Sequence, residues 1–197
     1  MPAQNDARGP GRPRSERSRR AVLDAARELL TDRGLPGLTM DEIAARAGVS
    51  KNTIYRWWPT KAAVVMDAFT DAFAGQMQAP AVGDALTRLR IQVQRVARLM
   101  NTPEARRPFV ALVAAAQHDP ELAAALRERF IDTRRAGVIE LIAAGIDDGQ
   151  LSAGTDADIV IDLIYGALYY RLLISGGDLD PAYADRLVET LAPVLRT

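Results

Sequence analysis

The stretch that most constrains the fold is residues 38–61, which read LTMDEIAARAGVSKNTIYRWWPTK. Thr39 and Glu42 stand three residues apart, the spacing at which side chains and backbone amides cap a helix reciprocally. Gly48 can adopt the positive φ that closes a helix, and Ser50 can cap a second helix directly after it. The stretch therefore predicts two short helices joined by a sharp turn.

The second of these helices, predicted over residues 51–58, has two unlike sides. Ile54 and Trp58 form an apolar side that faces a core. Packing in a core does not explain the other side, which carries Lys51, Asn52, Thr53, Tyr55, Arg56 and Trp57. A helix, a short turn with Gly and a second helix rich in amide, hydroxyl and cationic groups form the helix-turn-helix motif, whose second helix enters the DNA major groove.

The residues after this helix extend the motif. Pro59 ends the helix because the residue before a proline is displaced from the α region. Thr60 caps a further helix, and Lys61 lies in its first turn, where exposed backbone N–H groups favour a phosphate. The whole pattern is GVS followed by an aliphatic residue, Tyr, two aromatic residues, Pro, a small residue and Lys. It is formed by Gly48, Val49, Ser50, Ile54, Tyr55, Trp57, Trp58, Pro59, Thr60 and Lys61.

This pattern resembles the DNA-binding region of the tetracycline-repressor (TetR) family. Family members commonly have Phe, and His or Tyr, at the positions of Trp58 and Trp57. The spacing and the resemblance together assign phosphate contacts to Tyr55, Trp57 and Lys61. The candidates for contacts with base edges are Lys51, Asn52, Thr53 and Arg56. The predicted DNA-binding set is completed by Thr39 and Ser50.

Charge is unevenly distributed along the chain, although its formal net value is zero. Residues 1–61 contain 12 Lys/Arg and 7 Asp/Glu, a net +5, whereas residues 62–197 contain 13 and 18, a net −5. A basic head on an acidic body suits the binding of a polyanion at one end. Both lysines of the chain, Lys51 and Lys61, fall within the motif.

The first 14 residues, MPAQNDARGPGRPR, are rich in Pro, Gly and Arg and predict a disordered basic arm over 1–14. One interpretation is a solubilising tail. The other is an arm that follows phosphates or reaches a minor groove through Arg8, Arg12 and Arg14. The nearby motif favours the second interpretation.

Three helices are predicted to form a helix-turn-helix DNA-binding domain over residues 15–60. The first opens at Ser15 or Ser18 and ends at Gly34. Residues 61–197 read as a helical ligand-binding and dimerisation domain, without any alternating strand pattern. We therefore expect an all-α fold of about nine helices, with an N-terminal three-helix head on a larger C-terminal helical bundle.

Two C-terminal helices are predicted to form a dimer. Residues 159–174 are apolar on nearly every side, and a helix of this kind is buried on every side. Residues 181–195 follow as an amphipathic helix. The pair resembles the last two helices of TetR-family proteins, and the resemblance implies a four-helix bundle with a second subunit. The candidate interface residues are Gly166, Tyr170, Leu187 and Leu191.

Large apolar and aromatic side chains lie on several helices of the body, and for any one of them ordinary core packing is the simpler interpretation. The TetR resemblance implies a cavity in the helical body, so we expect some of them to line a mostly apolar pocket with a few polar groups. The candidates are Met66, Phe69, Phe73, Gln92, Phe109, Phe130, Tyr165 and Tyr169. The expected effector is a small hydrophobic compound, aromatic or multi-ring.

Composition excludes several kinds of site. With no Cys and a single His, His118, the chain lacks the ligands of an ordinary zinc site and of any disulfide framework. Asp147 and Asp148 point to different faces of a helix and do not form an acid–base pair. There is no apolar signal core and no apolar run of about 18 residues. We expect a cytoplasmic protein with no enzyme activity, metal or cofactor.

The function that fits these observations is a sequence-specific transcriptional regulator. It is expected to act as a homodimeric repressor on an inverted-repeat operator in double-stranded DNA, released by a small apolar ligand. One alternative is a DNA-binding regulator whose body docks a protein partner and senses no small molecule. Another is an all-helical enzyme whose head only resembles a DNA reader. Salt-dependent binding to a defined duplex would exclude the enzyme.

Overall fold

The computed structural model describes residues 12–76 and 80–196 of the chain. Within these ranges the regular structure consists of helices, and no strand is present. The chain divides into two compact units, Met1–Ala68 and Phe69–Thr197, called the head and the body below. The predicted all-α fold, with a smaller N-terminal head, is confirmed.

The head contains three complete helices and the start of a fourth. They are α1 (Arg12–Arg33), α2 (Met40–Ala47), α3 (Lys51–Tyr55) and the first residues of α4 (Lys61–Ala72). The core that joins them consists of fully buried apolar side chains, among them Leu23, Leu29, Leu38, Ile43, Ile54 and Trp58. Helices as short as α2 and α3 are unstable alone, so this shared core stabilises them.

α1 starts earlier than the predicted Ser15 or Ser18, because its first residue is Arg12. Pro13 stands in the first turn, where a proline leaves no helical hydrogen bond unmade. The last three residues of the predicted 1–14 arm are therefore helical. The remainder of that arm, residues 1–11 with Arg8, lies outside the described residues.

α3 is shorter than the predicted 51–58, because regular helix ends at Tyr55 and a turn follows. The backbone N–H groups of Trp57 and Trp58 both donate to the carbonyl of Ile54, at 2.9 and 3.0 Å. Pro59 comes directly afterwards and disfavours helical backbone in the residue before it. The second helix of the motif therefore ends in a tight turn.

The division into two compact units falls inside α4, between Ala68 and Phe69. α4 runs from Lys61 to Ala72 without interruption. One continuous helix thus contributes residues to both units.

The body contains six further α-helices. They are α5 (Ala85–Met100), α6 (Pro103–Ala116), α7 (Pro120–Leu126), α8 (Asp132–Asp147), α9 (Ala157–Tyr170) and α10 (Pro181–Leu195). A π-helical segment, Arg127–Ile131, joins α7 to α8, and a second one, Arg171–Ser175, extends α9. Since α7 and α8 form one continuous helix, the described residues hold nine helices, as predicted.

α5 is the central helix of the body, because α6, α8 and α10 all pack against it. Gly145 of α8 lies where two elements approach closely. A Cβ at this position would be 2.6 Å from Ala85 Cβ and 2.9 Å from Leu151 Cδ1. The absence of a side chain at Gly145 therefore permits the contact between α5 and α8.

Replacing Gly145 with Ala should destabilise the body, because the added methyl group overlaps Ala85. We expect a loss of about 1–3 kcal/mol in the free energy of unfolding, measured by urea denaturation. Gly137 is the matched control, since it lies in the same helix and a Cβ there would meet no atom within 4 Å. Gly137→Ala should be neutral or stabilising by up to about 1 kcal/mol. Equal losses in the two variants would contradict the close approach at Gly145.

Candidate functional site

The helix-turn-helix is fixed by local hydrogen bonds. Thr39 Oγ1 accepts from the Glu42 N–H at 3.2 Å, and Glu42 Oε2 accepts from the Thr39 N–H at 3.1 Å. Gly48 ends α2 in the left-handed region, with φ of 65°. Ser50 Oγ accepts from the Thr53 N–H at 3.2 Å and caps α3. The reciprocal cap, the glycine turn and the second cap are all present as predicted.

α3 and the residues after it present polar and cationic side chains to solvent. Ile54 is fully buried and holds α3 against the head core. The exposed residues are Lys51, Asn52, Tyr55, Arg56 and, at the start of α4, Lys61. Thr53 and Trp57 are half-buried. The groups with predicted contacts to bases or phosphates therefore remain accessible to DNA.

Thr39 and Ser50 serve first as helix caps. The Thr39 hydroxyl also donates to Glu42 Oε2 at 3.0 Å. The hydroxyls of Ser50 and Thr53 share a hydrogen bond of 3.0 Å. A DNA contact by Thr39 or Ser50 must therefore use an oxygen that already takes part in the cap.

Lys51 is held by a neighbouring carboxylate. Its Nζ lies 2.8 Å from Asp41 Oδ1, and both side chains are exposed. The hydrogen bond to Asp41, followed by the charge of Asp41, raises the pKa of Lys51 above its ordinary value. An exposed ion pair of this kind is weak. Lys51 can exchange Asp41 for a base edge or a phosphate at modest cost.

Arg56 and the two tryptophans form a stacked group. Arg56 Cζ lies 4.9 Å from the centroid of the Trp57 ring, and the two indole rings pack edge to face at 5.6 Å. Trp58 is buried, and its Nε1–H donates to Asp67 Oδ2 at 2.7 Å. Since Asp67 belongs to α4, this bond joins the end of the helix-turn-helix to the next helix.

The body contains a cavity of about 370 Å³. Its wall comes from α8, from the π-helical segment before α8, and from α9. The lining residues are Phe130, Ile131, Arg134, Arg135, Ile161, Asp162, Tyr165, Gly166 and Tyr169. This volume lies within the range of small-molecule sites, and the wall combines aromatic rings with a few polar groups, as such sites do.

Three of the predicted pocket residues line this cavity: Phe130, Tyr165 and Tyr169. Two more, Phe69 and Phe109, are buried residues that adjoin them. The Phe109 ring lies 5.4 Å from Phe130 and 5.6 Å from Tyr169, measured between centroids. The Phe69 ring lies 5.5 Å from Phe130. The structure thus brings five predicted side chains into one aromatic cluster.

The other three predicted pocket residues are absent from the cavity wall. Phe73 packs against Phe69 at 5.2 Å between centroids. Gln92 Nε2 donates to the Tyr165 hydroxyl at 3.3 Å and so supports a lining residue. Met66 is fully buried and belongs to the head. Phe73 thus extends the aromatic cluster and Gln92 supports it through a hydrogen bond, whereas Met66 lies in the other unit.

Titratable groups in the cavity wall are affected by burial. Burial raises the pKa of both Tyr165 and Tyr169, so that both phenols are protonated near neutral pH. Burial also lowers the pKa of Arg134 below its ordinary value. The guanidinium of Arg134 stacks on Phe130, with Cζ 3.8 Å from the ring centroid. Its Nη1 donates to the Phe130 carbonyl at 3.1 Å.

The neighbouring arginine has a different environment. Arg135 Nη2 lies 2.6 Å from Asp158 Oδ1, and its Nη1 lies 2.7 Å from Asp162 Oδ1. Hydrogen bonds to these carboxylates, Asp162 first, raise the pKa of Arg135. The carboxylate that lines the cavity, Asp162, is therefore already paired with a cation.

α9 and its π-helical extension expose one apolar face. Ile159, Leu163, Tyr170 and Ile174 are each at least half exposed. They follow one another at intervals of four, seven and four residues, which places them along one side of a helix. Residues 159–174 are thus not covered on every side within a single chain, and their burial by a second subunit stays a prediction.

The predicted interface residues are divided between two helices, Gly166 and Tyr170 on α9 and Leu187 and Leu191 on α10. Gly166 and Tyr170 are exposed, whereas Leu187 and Leu191 of α10 are half-buried. Val194, also on α10, is 76% exposed. The two C-terminal helices together leave apolar side chains without a covering element in the described chain.

Comparison with known proteins identifies the family. Residues 22–68 match the family model of bacterial regulatory proteins of the tetR family, and residues 79–191 match that of the tetracyclin repressor-like C-terminal domain. The chain belongs to the TetR family. The resemblance seen in the helix-turn-helix is confirmed, and it extends through the body.

TetR-family proteins of known sequence and structure resemble the chain over most of its length. It is 39% identical over 178 residues to the uncharacterized HTH-type transcriptional regulator YdeS of Bacillus subtilis, covering 90% of this chain and 89% of YdeS. It is 29% identical over 187 residues to the DNA-binding transcriptional repressor TetR of Mycobacteroides abscessus, covering 92% of this chain and 95% of that repressor. The crystal structure of the TetR family transcription regulator SCO0332 matches with a TM-score of 0.79 and 33% identity, over 91% of this chain and 99% of SCO0332.

These similarities identify the protein as a TetR-family DNA-binding transcriptional regulator. The helix-turn-helix of α2 and α3 is its DNA-binding element. None of the helices in residues 12–76 and 80–196 has the length and apolar character needed to cross a lipid bilayer.

Sequence reasoning did not assign six residues of the wall to the cavity: Ile131, Arg134, Arg135, Ile161, Asp162 and Gly166, the last of which it had assigned to the dimer interface. One signal was available for Arg134, which stands four residues after Phe130, a spacing that brings helical side chains together. The π-helical segment that precedes α8 has no comparable sequence signature. The polar residues of the cavity wall were therefore identified from the structure of this TetR-family protein and not from its sequence.

Asp41→Asn should strengthen DNA binding by this TetR-family regulator, because it removes the carboxylate that holds Lys51. We expect tighter binding, by less than about tenfold, to a duplex selected from a random library by the wild-type protein. Fluorescence anisotropy at several salt concentrations measures the change. Asp32→Asn is the matched control, since Asp32 is an exposed carboxylate of the head that pairs with Arg46. Equal effects in both variants would show that head charge, and not release of Lys51, is responsible.

Proposed function

We propose that this protein is a homodimeric repressor that binds an inverted-repeat operator and leaves it when a small ligand occupies the body cavity. The observation that carries the proposal is the cavity of about 370 Å³, walled by Phe130, Tyr165 and Tyr169. A pocket of this size with an aromatic wall can bury most of the surface of a small ligand.

The aromatic cluster supplies the link between ligand and DNA. Phe130 lines the cavity and packs against Phe69, with 5.5 Å between ring centroids. Phe69 lies in α4, whose first residue is Lys61. A ligand that displaces Phe130 would therefore shift α4, the helix that directly follows the DNA-binding element. The free-energy requirement is modest, since about 5.5 kcal/mol of differential affinity moves a two-state equilibrium from nearly all to nearly none.

DNA contacts divide into two kinds in this proposal. Tyr55, Trp57 and Lys61 position the head by contacting phosphates. The base edges are contacted by Lys51, Asn52, Thr53 and Arg56, supported by the caps of Thr39 and Ser50. Asn pairs with adenine, and Lys or Arg with guanine, each good pair discriminating by about 1–3 kcal/mol. The exposure of these side chains, half-buried Thr53 and Trp57 included, supports these roles.

The exposed apolar face of α9 and α10 supports a homodimer. Ile159, Leu163, Tyr170 and Ile174 form an uncovered row, and Gly166 within that row permits close approach of another helix. Leu187 and Leu191 of α10 would extend the same interface. An inverted-repeat operator requires two copies of the head, since each reads one half-site.

The repressor proposal is tested by titrating an operator duplex with the protein in the presence of a panel of aromatic compounds. The duplex comes from selection by the wild-type protein, and compound binding is measured separately by calorimetry. We expect at least one compound that binds the protein to weaken operator binding by tenfold or more, on the order expected for allosteric coupling. If compounds bind and none changes operator affinity, a body that docks a protein partner becomes the better account.

Leu163→Glu should dissociate the dimer, because it places a charge in the centre of the apolar row. Sedimentation velocity at micromolar concentration should show a dimer for the wild type and a monomer for the variant, and the monomer should lose specific DNA binding. Val82→Glu is the control, since Val82 is a valine of the body that is 84% exposed and lies outside α9 and α10. A wild-type monomer under these conditions would overturn the dimer.

A further inference from the structure

The cavity holds a positive charge that the protein itself does not neutralise. Arg134 lines the wall, and no carboxylate of the described residues forms an ion pair with it. Burial lowers its pKa, and the groups that act in the opposite direction are the phenols of Tyr165 and Tyr169. Neutral phenols cannot compensate a full charge. Arg134 is therefore a desolvated cation without a counter-ion.

The three guanidinium nitrogens of Arg134 differ in their hydrogen bonds. Nη1 donates to the Phe130 carbonyl at 3.1 Å. Nε is buried and has no hydrogen-bond partner. Nη2 makes no hydrogen bond within the described residues and is not among the buried donors, so it is the guanidinium nitrogen that an anion in the cavity can reach. Partial burial of a cation without a counter-ion costs free energy, and an anion in the cavity would offset part of that cost.

The π-helical segment helps to place this cation. Arg127–Ile131 precedes α8 directly, and it contains Phe130, on whose ring the guanidinium stacks at 3.8 Å. Single-turn π-helical insertions occur frequently at functional sites, because they change the direction of the side chains that follow. The stack holds the plane of the guanidinium against an aromatic wall.

The rest of the wall suits a planar organic acid. Phe130, Tyr165 and Tyr169 present aromatic rings to the cavity. The Tyr165 hydroxyl accepts a hydrogen bond from Gln92, so its own proton is available for a ligand oxygen. Asp162, the acidic residue of the wall, forms a salt bridge with Arg135, with 2.7 Å between Asp162 Oδ1 and Arg135 Nη1.

We propose that the effector is an aromatic carboxylate, with its carboxylate on Nη2 of Arg134 and its ring among Phe130, Tyr165 and Tyr169. This inference rests on the proposed effector site and narrows its ligand from apolar compounds in general to organic anions. A neutral ring system of the same shape would leave the Arg134 charge uncompensated and would bind more weakly.

The test uses the full-length protein without DNA and isothermal titration calorimetry. The probes are benzoate, cinnamate and 2-naphthoate, each compared with its neutral amide of nearly identical shape. We expect at least one acid to bind tenfold or more tightly than its amide, on the order of one charge-assisted contact. The proposal is overturned if none of the three acids binds more tightly than its amide.

Variants assign the effect to Arg134. Arg134→Gln should weaken binding of the preferred acid by about tenfold to a hundredfold and change binding of its amide by less than about threefold. Arg134→Lys keeps the charge and the apolar stem but loses the planar guanidinium, and should give an intermediate loss. Arg127→Gln is the matched control, because Arg127 is an exposed arginine of the same π-helical segment and does not line the cavity.

Circular dichroism and thermal melting establish that each variant is folded, and Arg134→Lys serves as the test if Arg134→Gln is not. Unchanged acid affinity in the folded variants would overturn the role of Arg134. Operator binding is then measured with the preferred acid. If the acid binds through Arg134 and does not change operator affinity, the anion site stands and the ligand-release proposal fails, so the two failures are distinguishable.

Discussion

The buried side chain of Trp58, with the hydrogen bond of 2.7 Å from its Nε1 to Asp67, fixes the DNA-binding element to α4. A buried indole has one polar group, and leaving that donor without a partner would cost about 1–3 kcal/mol. The connection between α3, which ends at Tyr55, and α4, which begins at Lys61, is short and contains Pro59, whose ring restricts its backbone. The recognition helix is therefore fixed to the part of α4 that lies in the head.

α4 continues to Phe69, whose ring packs against Phe73, Phe109 and Phe130. Tyr169 continues the cluster, because its ring packs against both Phe109 and Tyr165. The centroid separations within the cluster range from 5.2 to 6.2 Å. Such pairs attract by about 0.5–1.5 kcal/mol beyond the burial of their area. In the proposed response, a ligand that displaces Phe130 also displaces the buried rings of Phe69 and Phe109 that pack against it. The cluster thus gives the proposed ligand response a physical route to α4.

The two units differ in how far the sequence predicts them, because their signals act over different distances. The head follows from neighbours in sequence: the reciprocal cap of Thr39 and Glu42 and the turn at Gly48 lie within ten consecutive residues and occur as predicted. In the body, the helical periodicity predicts the helices but not which apolar side chains face a void. Which side chains face the cavity depends on packing between helices distant in sequence. For this reason Phe109, a predicted pocket residue, lies in the core beside the cavity, whereas Arg134, which was not predicted, lines it.

Two adjacent arginines of the body differ in whether their charge is paired with a carboxylate. Arg135 is paired with Asp158 and Asp162, and these exposed contacts link α8 to α9. Arg134 has a buried Nε with no partner, a condition shared in the described residues only by the hydroxyls of Thr70 and Thr155. A hydroxyl without a partner leaves only a neutral dipole desolvated, whereas a guanidinium retains its full charge. Replacing such a cation with an apolar residue of similar volume commonly stabilises a protein. An arginine without a counter-ion beside aromatic rings therefore destabilises the ligand-free protein. An anion that pairs with this arginine recovers that free energy on binding.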